Sequence, residues 1–459
     1  MYQINFNQPI HVHFIGIGGI SMSGLAEILI EKGFQVSGSD AKASPITEHL
    51  AQKGIQIFYG QKGENLNSNI DLVVYTSAIH PDNPEFVAMQ ELQLPSLTRA
   101  QLLGQIMKNY ELPIAISGTH GKTTTTSMIS EILLKANTDP TLTIGGILKS
   151  IGGNVRIGND RYFVAEACEY TNSFLSFYPK VGIILNVEAD HLDFFKDVED
   201  IRHSFHLFAA LLPEDGTLII NGDIPGIEEI TSGLNCHIIT YGSTSAYDYW
   251  PEQIVYDENG LSSFTLKQKN GTCREFSLGV PGEYNVYNAI ASIIAADVFD
   301  IESKVISSAL ADFHGTDRRF EYKGEINGIT IIDDYAHHPT AITATLKAAA
   351  NYPHKSLWCV FQPHTYTRTK AFLKEFAQAL ALADHVILSD IYAARETDNL
   401  GISSQTLQQE IQALGKNCTY FPSFREIEKF ILENCTPGDL LITMGAGDVV
   451  NIGENLLKK

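Results

Sequence analysis

Apolar runs and segments with helical periodicity alternate along most of this chain of 459 residues. The alternation is clearest after residue 322, where five apolar runs predict strands. The predicted strands lie at 329–333, 357–361, 385–389, 418–421 and 439–444, and the predicted helices lie near 340–350, 368–382, 404–414, 424–434 and 447–457. Strands and helices in this order indicate a doubly wound α/β sheet with parallel strands.

The first apolar run of the chain leads into a glycine-containing turn. The turn carries Gly16, Gly18 and Gly19, and a helix is predicted to follow it. A second predicted strand ends at Asp40, 22 positions after Gly18, where an acid can bond a ribose hydroxyl. Ser21 replaces the third glycine of the dinucleotide-binding pattern, so the sequence favours a Rossmann-like nucleotide site without specifying NAD.

Ser77 lies near the end of a further predicted strand, at residues 71–78. Ligands of α/β proteins bind at the carboxyl ends of the strands. Ser77 is therefore either a ligand-binding residue or an ordinary strand-end cap, and the sequence favours neither.

A second glycine-containing turn, at residues 117–126, has the pattern of a phosphate-binding loop. In such loops the backbone N–H groups bind phosphate, the lysine reaches the terminal phosphates and the next hydroxyl binds Mg²⁺. The candidate residues are Gly118, Thr119, His120, Gly121, Lys122, Thr123 and Thr124. Ile116 stands where the usual loop has its first glycine, so a helix start capped by threonine is the alternative.

Acidic residues follow two predicted strands after this loop. The strand-end set comprises Glu166, Glu169, Asp190, His191 and Asp193. Carboxylates beside a phosphate loop are ligands that Mg²⁺ prefers. From its chemistry alone, His191 can equally be a metal ligand, a proton carrier or a structural residue.

The rest of the central part is predicted to be rich in β-structure. Two glycine-rich segments, at 143–147 and 151–154, are expected to be loops. Residues 236–280 alternate like a β-rich insertion, with tight turns at Glu258-Asn-Gly260 and Lys269-Asn-Gly271.

Paired amides and paired arginines follow the β-rich part. Asn285 and Asn288 lie on one face of a predicted helix, where they can contact a purine, although Asn285 can also cap the helix. Arg318 and Arg319 lie in a predicted turn, where they can bind phosphate or form salt bridges between domains.

Polar loops follow the strands of the last part of the chain. Their candidate functional residues are His337, His338, His364, Arg368, Asp390 and Arg395. Such positions face the ligand crevice of a parallel sheet, and the functional interpretation is favoured for the histidines and Arg368.

The composition is that of an ordinary globular protein, with 44% hydrophobic and 19% charged residues. The net charge of −21 argues against a nucleic-acid or anionic-membrane partner. The six cysteines have no metal-binding spacing and are expected to be reduced. Because we find neither a signal-peptide pattern nor an apolar run of membrane-spanning length, we expect a cytoplasmic protein.

Seven motifs together resemble the Mur ligases of bacterial peptidoglycan synthesis over essentially the whole chain. In order, they are GIGGISMSGLA, GTHGKTTT, EACEY, NVEADHLD, HGTDRRF, DDYAHHPT and FQPHTYTRT. The resemblance implies an α/β protein of three domains that acts as an ATP-dependent amide ligase. Residues 1–109 would form a Rossmann-like domain for the UDP-sugar, 110–321 a P-loop-type domain for ATP and Mg²⁺, and 322–459 a Rossmann-like domain for the amino acid.

The resemblance also implies roles for individual residues. Gly16, Gly18, Gly19, Asp40 and Ser77 would bind the UDP-sugar, and residues 118–124 the ATP phosphates, with Thr123, Glu166 and His191 as metal ligands. Asn285 and Asn288 would face adenine, Asp334 would face the ribose, and Arg319 would face the γ-phosphate. His337 and Arg368 would approach the amino acid or the reacting carboxylate. The implied catalytic residues are Lys122, Arg319, His337 and Arg368. Two positions depart from the family pattern: Thr365 replaces an arginine and Cys168 an acidic residue.

The implied substrates are UDP-N-acetylmuramic acid and L-alanine, joined through an acyl phosphate. A recycling ligase that attaches a tripeptide to the same sugar nucleotide is the nearest alternative. A nucleotide-binding switch without catalytic activity and an NAD-dependent dehydrogenase are more distant ones. The sequence leaves open whether the protein is a monomer or a homodimer, and whether it selects L-alanine over glycine and L-serine.

Overall fold

The computed structural model describes residues 2–76 and 78–459, so the predicted site residue Ser77 lies outside the described part. Three sheets follow one another along the chain, with 5, 10 and 6 strands. The predicted architecture of three α/β domains is confirmed. The limits chosen for the domains stay a prediction.

The N-terminal sheet is parallel throughout, in the order β3-β2-β1-β4-β5. Its strands are β1 (His11–Ile15), β2 (Gln35–Asp40), β3 (Gln56–Tyr59), β4 (Leu72–Tyr75) and β5 (Ser96–Thr98), and its helices are α1 (Ile20–Glu31), α2 (Pro45–Gln52), α3 (Pro84–Glu91) and α4 (Arg99–Met107). The order reverses direction beside β1, which is where doubly wound sheets bind ligands.

The central sheet has the order β15-β14-β13-β12-β11-β10-β6-β9-β7-β8. Its strands are β6 (Leu112–Ser117), β7 (Thr141–Leu148), β8 (Gly153–Arg156), β9 (Tyr162–Glu166), β10 (Val181–Ile184), β11 (Thr217–Asn221), β12 (His237–Tyr241), β13 (Tyr249–Tyr256), β14 (Leu261–Gln268) and β15 (Cys273–Pro281). Its helices are α5 (Lys122–Lys135), α6 (Val198–Ala209), α7 (Ile227–Thr231), α8 (Glu283–Val298) and α9 (Ser303–Asp312). The predicted β-rich part is the meander β13–β15, which extends the central sheet through the pairing of Tyr241 with Tyr249.

Of the two glycine-rich segments expected to be loops, residues 143–147 lie instead within β7, whereas 151–154 belong only in part to a strand: Ile151 and Gly152 end a short 3₁₀ turn, and β8 begins at Gly153. Strands β7 and β8 form an antiparallel pair. The pairing is regular at Thr143 and resumes at Leu148, with an irregularity between them. Gly145 lies in this irregular part, where a Cβ would stand 2.5 Å from Glu166 Oε2. A side chain at this position would therefore force Glu166 on the neighbouring strand to move, a contact that the local sequence does not reveal.

The C-terminal sheet has the order β16-β17-β21-β18-β19-β20, and its predicted strands are confirmed to within one or two residues. The strands are β16 (Glu321–Ile326), β17 (Ile329–Asp334), β18 (Leu357–Phe361), β19 (His385–Leu388), β20 (Asn417–Tyr420) and β21 (Leu440–Met444). The helices are α10 (Pro339–Ala350), α11 (Tyr366–Ala371), α12 (Leu373–Leu380), α13 (Ser404–Ala413), α14 (Phe424–Asn434) and α15 (Val450–Leu456). Two details differ from the prediction: β16 is an additional antiparallel edge strand, and the helix expected at 368–382 is divided at Phe372.

The N-terminal and central domains share an apolar cluster that includes residues from α1, α4, β9 and α6. Gly24 of α1 and Gly104 of α4 allow close packing here, because a Cβ on either would lie within 2.4 Å of the central domain. All six cysteines carry free thiols, as predicted. No helix in the described part of the chain is both long enough and apolar enough to span a membrane.

Candidate active site

The phosphate-loop pattern lies between strand β6 and helix α5, as predicted. Gly118 and Gly121 have φ angles of +138° and +84°, which favour glycine. Helix α5 begins after Gly121 without a side-chain cap, so the predicted alternative of a threonine-capped helix start does not describe this turn. Asn186 holds the loop from the end of β10: its Oδ1 accepts a hydrogen bond from the His120 N–H at 2.7 Å.

Lys122 is directed back over this loop. Its Nζ donates to the carbonyl oxygens of Gly118 and Thr119 and to Glu169 Oε2, the last at 3.0 Å. Burial alone would lower the pKa of Lys122, but Glu169 and neighbouring acids raise it above its ordinary value. The side chain therefore stays charged at the mouth of the loop.

The predicted metal ligands lie around the same loop. Thr123 is the second residue of α5, and Glu166 ends β9, where its Oε1 accepts a hydrogen bond from the Gly145 N–H at 2.5 Å. His191 Nε2 lies 3.9 Å from both Glu169 Oε1 and Asp190 Oδ2. Burial lowers the pKa of His191, so its imidazole is neutral and keeps a lone pair for a metal.

Tyr170 supports His191, a contact that the sequence analysis missed. The two rings stack with centroids 4.5 Å apart, and the Tyr170 hydroxyl donates to Asp193 Oδ2 at 2.8 Å. His191 has a φ of +52°, in the left-handed region that few residues other than glycine adopt. Cys168, where the family pattern has an acid, is uncharged because burial raises the pKa of its thiol.

The two adjacent arginines have different partners. The predicted salt bridge between domains describes Arg318, and the predicted phosphate-binding position fits Arg319. Arg318 Nε donates to Asp333 Oδ2 at 3.1 Å and its Nη2 to the Gly445 carbonyl at 2.7 Å, which ties the turn to the C-terminal sheet. Arg319 Nη2 donates instead to Thr123 Oγ1 at 3.2 Å, within the phosphate loop.

The paired amides lie at the start of α8, behind the loop. Gly282 is the helix cap, so Asn285 does not cap the helix; its Nδ2 donates to the Pro281 carbonyl at 2.7 Å. Asn288 Nδ2 donates to Asn285 Oδ1 at 3.0 Å, and both side chains are buried. A Cβ on Gly121 would lie 2.6 Å from Asn288 Oδ1, so this pair contacts the phosphate loop directly.

Asp334 is buried at the end of β17, and its carboxylate already accepts hydrogen bonds from neighbouring residues. Its oxygens accept hydrogen bonds from the N–H groups of Phe320 and Ala336, both at 2.8 Å, and from the Thr345 hydroxyl at 3.2 Å. Burial raises the pKa of Asp334. The geometry makes it an anchor for the arginine turn, and its contact with a ribose stays a prediction.

The C-terminal loops bring His337, His364 and Arg368 to the strand-end acids. Arg368 Nε and Nη2 donate to Asp190 Oδ1 at 3.2 and 3.0 Å, and Arg368 Nη1 lies 3.2 Å from His364 Nδ1. Burial and the Arg368 charge lower the pKa of His364 to about 4 and that of His337 well below its ordinary value. Thr365 caps α11 with its hydroxyl, which accepts from the Arg368 N–H at 3.4 Å.

For Asp390 and Arg395 the sequence favoured neither a functional nor a non-functional interpretation. Among the described residues, neither side chain is bonded to the group formed by Arg368, His364 and Asp190. Asp390 accepts a hydrogen bond from the Tyr420 hydroxyl at the edge of the C-terminal sheet. Burial raises the pKa of the Tyr170 hydroxyl and the charge of Arg395 opposes that rise, so Arg395 lies on the same side of the molecule as Tyr170.

The glycine turn of the N-terminal domain is closed by Asp40. Its Oδ2 accepts a hydrogen bond from the Gly18 N–H at 2.8 Å, and a Cβ on Gly18 would lie 2.7 Å from that oxygen. Gly16 has a φ of +82°, and Gly19 is the residue before α1. The predicted turn and its acid are therefore in contact, and their binding of a UDP-sugar stays a prediction.

Three residues between the central and C-terminal domains were missed as a group. The Thr340 hydroxyl donates to Glu188 Oε2 at 2.6 Å, and His338 Nε2 lies 3.1 Å from the Ala189 carbonyl. The signal was present, because Glu188 and His338 both belong to motifs already singled out. What the sequence could not show is that the two motifs meet across the interface.

Comparisons with known proteins agree along the whole chain. The family description "Mur ligase family, catalytic domain" matches residues 11–111, "Mur ligase middle domain" matches 116–296, and "Mur ligase, glutamate ligase domain" matches 318–447. The chain is 60% identical to a UDP-N-acetylmuramate–L-alanine ligase of Agathobacter rectalis over 459 residues, which is 100% of both chains.

Two solved structures resemble this one over 98% of each chain. They are a UDP-N-acetylmuramate–alanine ligase from Thermotoga maritima, with a TM-score of 0.81 and 29% identity, and a murein peptide ligase from Psychrobacter arcticus, with a TM-score of 0.70 and 27% identity. The three matched family descriptions follow the three sheets in order. The chain therefore belongs to the Mur ligase family.

Proposed function

We propose that the protein joins L-alanine to the lactyl carboxylate of UDP-N-acetylmuramic acid and converts ATP to ADP and phosphate. The observation that carries this proposal is the convergence of two cationic side chains on one set of strand-end residues. Lys122 bonds Glu169, Arg368 bonds Asp190, and both acids lie 3.9 Å from His191. Identity of 60% over the full length to a ligase of that name supports the choice of substrates.

ATP and Mg²⁺ fit the residues at the phosphate loop. The Thr123 hydroxyl and the Glu166 carboxylate are oxygen donors of the kind that Mg²⁺ prefers, His191 adds a neutral imidazole, and Gly145 leaves the space beside Glu166 that a side chain would fill. When bound, Mg²⁺ neutralises phosphate charge. The ATP phosphates would contact Gly118, Thr119, His120, Gly121, Lys122, Thr123 and Thr124, adenine would contact Asn285 and Asn288, and the ribose would contact Asp334.

The reaction requires activation of a carboxylate, which is a poor electrophile. The lactyl carboxylate attacks the γ-phosphate, ADP leaves, and an acyl phosphate forms. Lys122 and Arg319 stabilise the negative charge that develops on the transferred phosphoryl group. The Arg319 bond to Thr123 already directs its guanidinium to this loop.

Amide formation follows on the C-terminal side of the site. The deprotonated amine of L-alanine attacks the acyl carbon, and phosphate leaves. His337 is neutral, because burial lowers its pKa, and it can accept the amine proton. Arg368 holds a substrate carboxylate, and closure of the C-terminal domain excludes water that would hydrolyse the acyl phosphate.

The UDP part would bind to the N-terminal glycine turn. Its residues are Gly16, Gly18, Gly19, Asp40 and Ser77. The turn precedes α1, whose first N–H groups suit a pyrophosphate. UDP binding by the wild type that is lost in Gly18→Val, with the fold retained, would support this placement.

Phosphate release from purified protein tests the proposed reaction. With ATP, Mg²⁺ and UDP-N-acetylmuramic acid, we expect release to depend on L-alanine, and mass spectrometry to find the alanyl product. Phosphate release with the tripeptide but not with L-alanine would instead favour the murein-recycling reaction. Replacing L-alanine by glycine or L-serine in the same assay measures the selectivity for the amino acid. Lys122→Met should abolish release, while Lys196→Met, at a lysine whose side chain is 86% exposed, should not.

A further inference from the structure

A second group of potential metal ligands lies between the central and C-terminal domains. It consists of His120, Glu188 and His338; the ligase reaction proposed above gives Glu188 and His338 no role and uses His120 only as a residue of the phosphate loop. One ring nitrogen from each histidine and one carboxylate oxygen all lie within 4.8 Å of one another. His120 Nε2 is 3.4 Å from Glu188 Oε2, and the two imidazole ring centroids are 4.8 Å apart.

The hydrogen bonds around this group leave one ring nitrogen without a well-formed bond and a second with only a long one. Within the described part of the chain, His120 Nε2 is buried and has no well-formed hydrogen bond. His338 Nε2 faces the Ala189 carbonyl at 3.1 Å, a contact that places the ring proton on Nε2, and His338 Nδ1 accepts a long hydrogen bond from the Thr340 N–H at 3.4 Å, which a metal bound at Nδ1 would replace. A histidine that donates one N–H to a backbone carbonyl while its other nitrogen binds a metal is common in metal sites.

The charges also suit a cation. Burial and the neighbouring His120 lower the pKa of His338 to about 4, so its imidazole is neutral at pH 7. Burial alone would raise the pKa of Glu188, but His120 and Thr340 lower it below its ordinary value, so the carboxylate is ionised. The Thr340 hydroxyl also fixes Glu188 Oε2 at 2.6 Å. The group therefore offers the neutral imidazole of His338, the imidazole of His120 and one oriented carboxylate.

We propose that His120, Glu188 and His338 form a binding site for Zn²⁺ or a similar transition-metal ion that bridges the central and C-terminal domains. Two histidines and one glutamate are a typical zinc donor set, whereas Mg²⁺ prefers oxygen ligands. In a tetrahedral zinc site neighbouring donor atoms are about 3.4 Å apart. His120 and Glu188 already have this separation, and the other donor pairs, which all lie within 4.8 Å, must close by at most about 1.4 Å.

The proposal does not depend on the ligase reaction, because it concerns binding alone. Two ligands come from the central domain and one from the start of α10 in the C-terminal domain. A bound metal would therefore link the two domains in the arrangement seen here. It should raise the melting temperature as the concentration of free metal increases above the Kd.

Isothermal titration of the full-length protein with Zn²⁺, in a large excess of Mg²⁺, tests the site. We expect one Zn²⁺ per chain and at least about tenfold weaker binding in Glu188→Gln and His338→Asn, since even the loss of outer-shell partners costs that much. Each change retains one local hydrogen bond: Gln keeps an acceptor for Thr340, and Asn is a good helix cap in place of His338, although it loses the contact with the Ala189 carbonyl. The zinc-dependent rise in melting temperature should disappear in both variants.

Two matched variants separate this site from other places where zinc can bind. His237→Asn alters an exposed histidine on β12 and should leave zinc affinity unchanged. Glu166→Gln alters the proposed magnesium site and should also leave it unchanged. Absence of zinc binding by the wild type, unchanged affinity in both Glu188→Gln and His338→Asn, or a loss in Glu166→Gln alone would overturn the proposal.

Discussion

Replacement of Gly121 by alanine should distort the phosphate loop through one identified contact. Gly121 has a φ of +84°, and a Cβ there would lie 2.6 Å from Asn288 Oδ1. Asn288 cannot move freely, because its Nδ2 donates to Asn285 Oδ1 at 3.0 Å in a buried position. The substitution therefore introduces backbone strain and also disturbs a buried hydrogen bond.

Gly271 separates these two effects. It lies in the turn between β14 and β15 of the same sheet, has a φ of +91°, and a Cβ there would meet nothing within 4 Å. Gly271→Ala should cost only the left-handed backbone strain, roughly 1–2 kcal/mol. Gly121→Ala should cost about 1–3 kcal/mol more, the usual cost of leaving a buried polar group unpaired.

Calorimetry of the two variants measures this difference. For a domain of this size 1 kcal/mol corresponds to roughly 2–4 °C, so Gly121→Ala should melt about 2–12 °C below Gly271→Ala. Gly121→Ala should also raise the KM for ATP, whereas Gly271→Ala should not. Equal melting temperatures, or an unchanged KM for ATP in Gly121→Ala, would refute the reasoning.

Three further predictions concern charged and titrating groups. Arg319→Ala should lower kcat by about 10²–10³ with little change in melting temperature. Arg318→Ala should instead lower the free energy of unfolding by about 3 kcal/mol, because it leaves Asp333 buried without its counter-ion. Kinetics and calorimetry on both variants check this, and a reversed pattern would contradict it. Burial raises the pKa of Asp333 to about 6, so this group makes the wild type lose stability as the pH rises through that value. The free energy of unfolding of Asp333→Asn, taken relative to that of the wild type, should therefore rise by about 3 kcal/mol between pH 4 and 7. A difference between the two proteins that is independent of pH would count against this prediction. His337→Gln should lower kcat by about 10²–10⁴, and the wild-type profile of kcat against pH should show no limb near 6.5 from this residue, since its pKa lies well below that value.

The sequence predicted those parts of the fold in which local pattern and burial agree. Strand β18, for example, is five apolar residues that are all buried, as expected of an inner parallel strand. The phosphate loop was predictable for a similar reason, since its glycines and the following helix are local features. The pair β7 and β8 was missed because glycine is normally rare in strands, and Gly145 is required by Glu166, a residue 21 positions away.

Much of the site could not be predicted because it depends on contacts between distant segments. The residues alone did not distinguish Arg318 from Arg319, and only the family resemblance assigned Arg319 to the γ-phosphate. In the structure Arg318 has a φ of +62°, and the two side chains bond different domains. Likewise, Thr365 was noted only as a departure from the family pattern, whereas its hydroxyl caps the helix that carries Arg368. In each case the backbone geometry that decides the role is set by tertiary structure.

The two domain interfaces differ in a way that bears on how the site closes. Between the N-terminal and central domains the contact is apolar and close, since a Cβ on Gly24 would lie 2.4 Å from Val155 Cγ2. Between the central and C-terminal domains the site residues meet through polar groups, such as Arg368 with Asp190 and Thr340 with Glu188. Polar contacts can be exchanged for water or substrate at much lower cost than an apolar core can be exposed. We therefore expect the C-terminal domain to be the one that moves, with Arg368 exchanging Asp190 for a substrate carboxylate as the site closes.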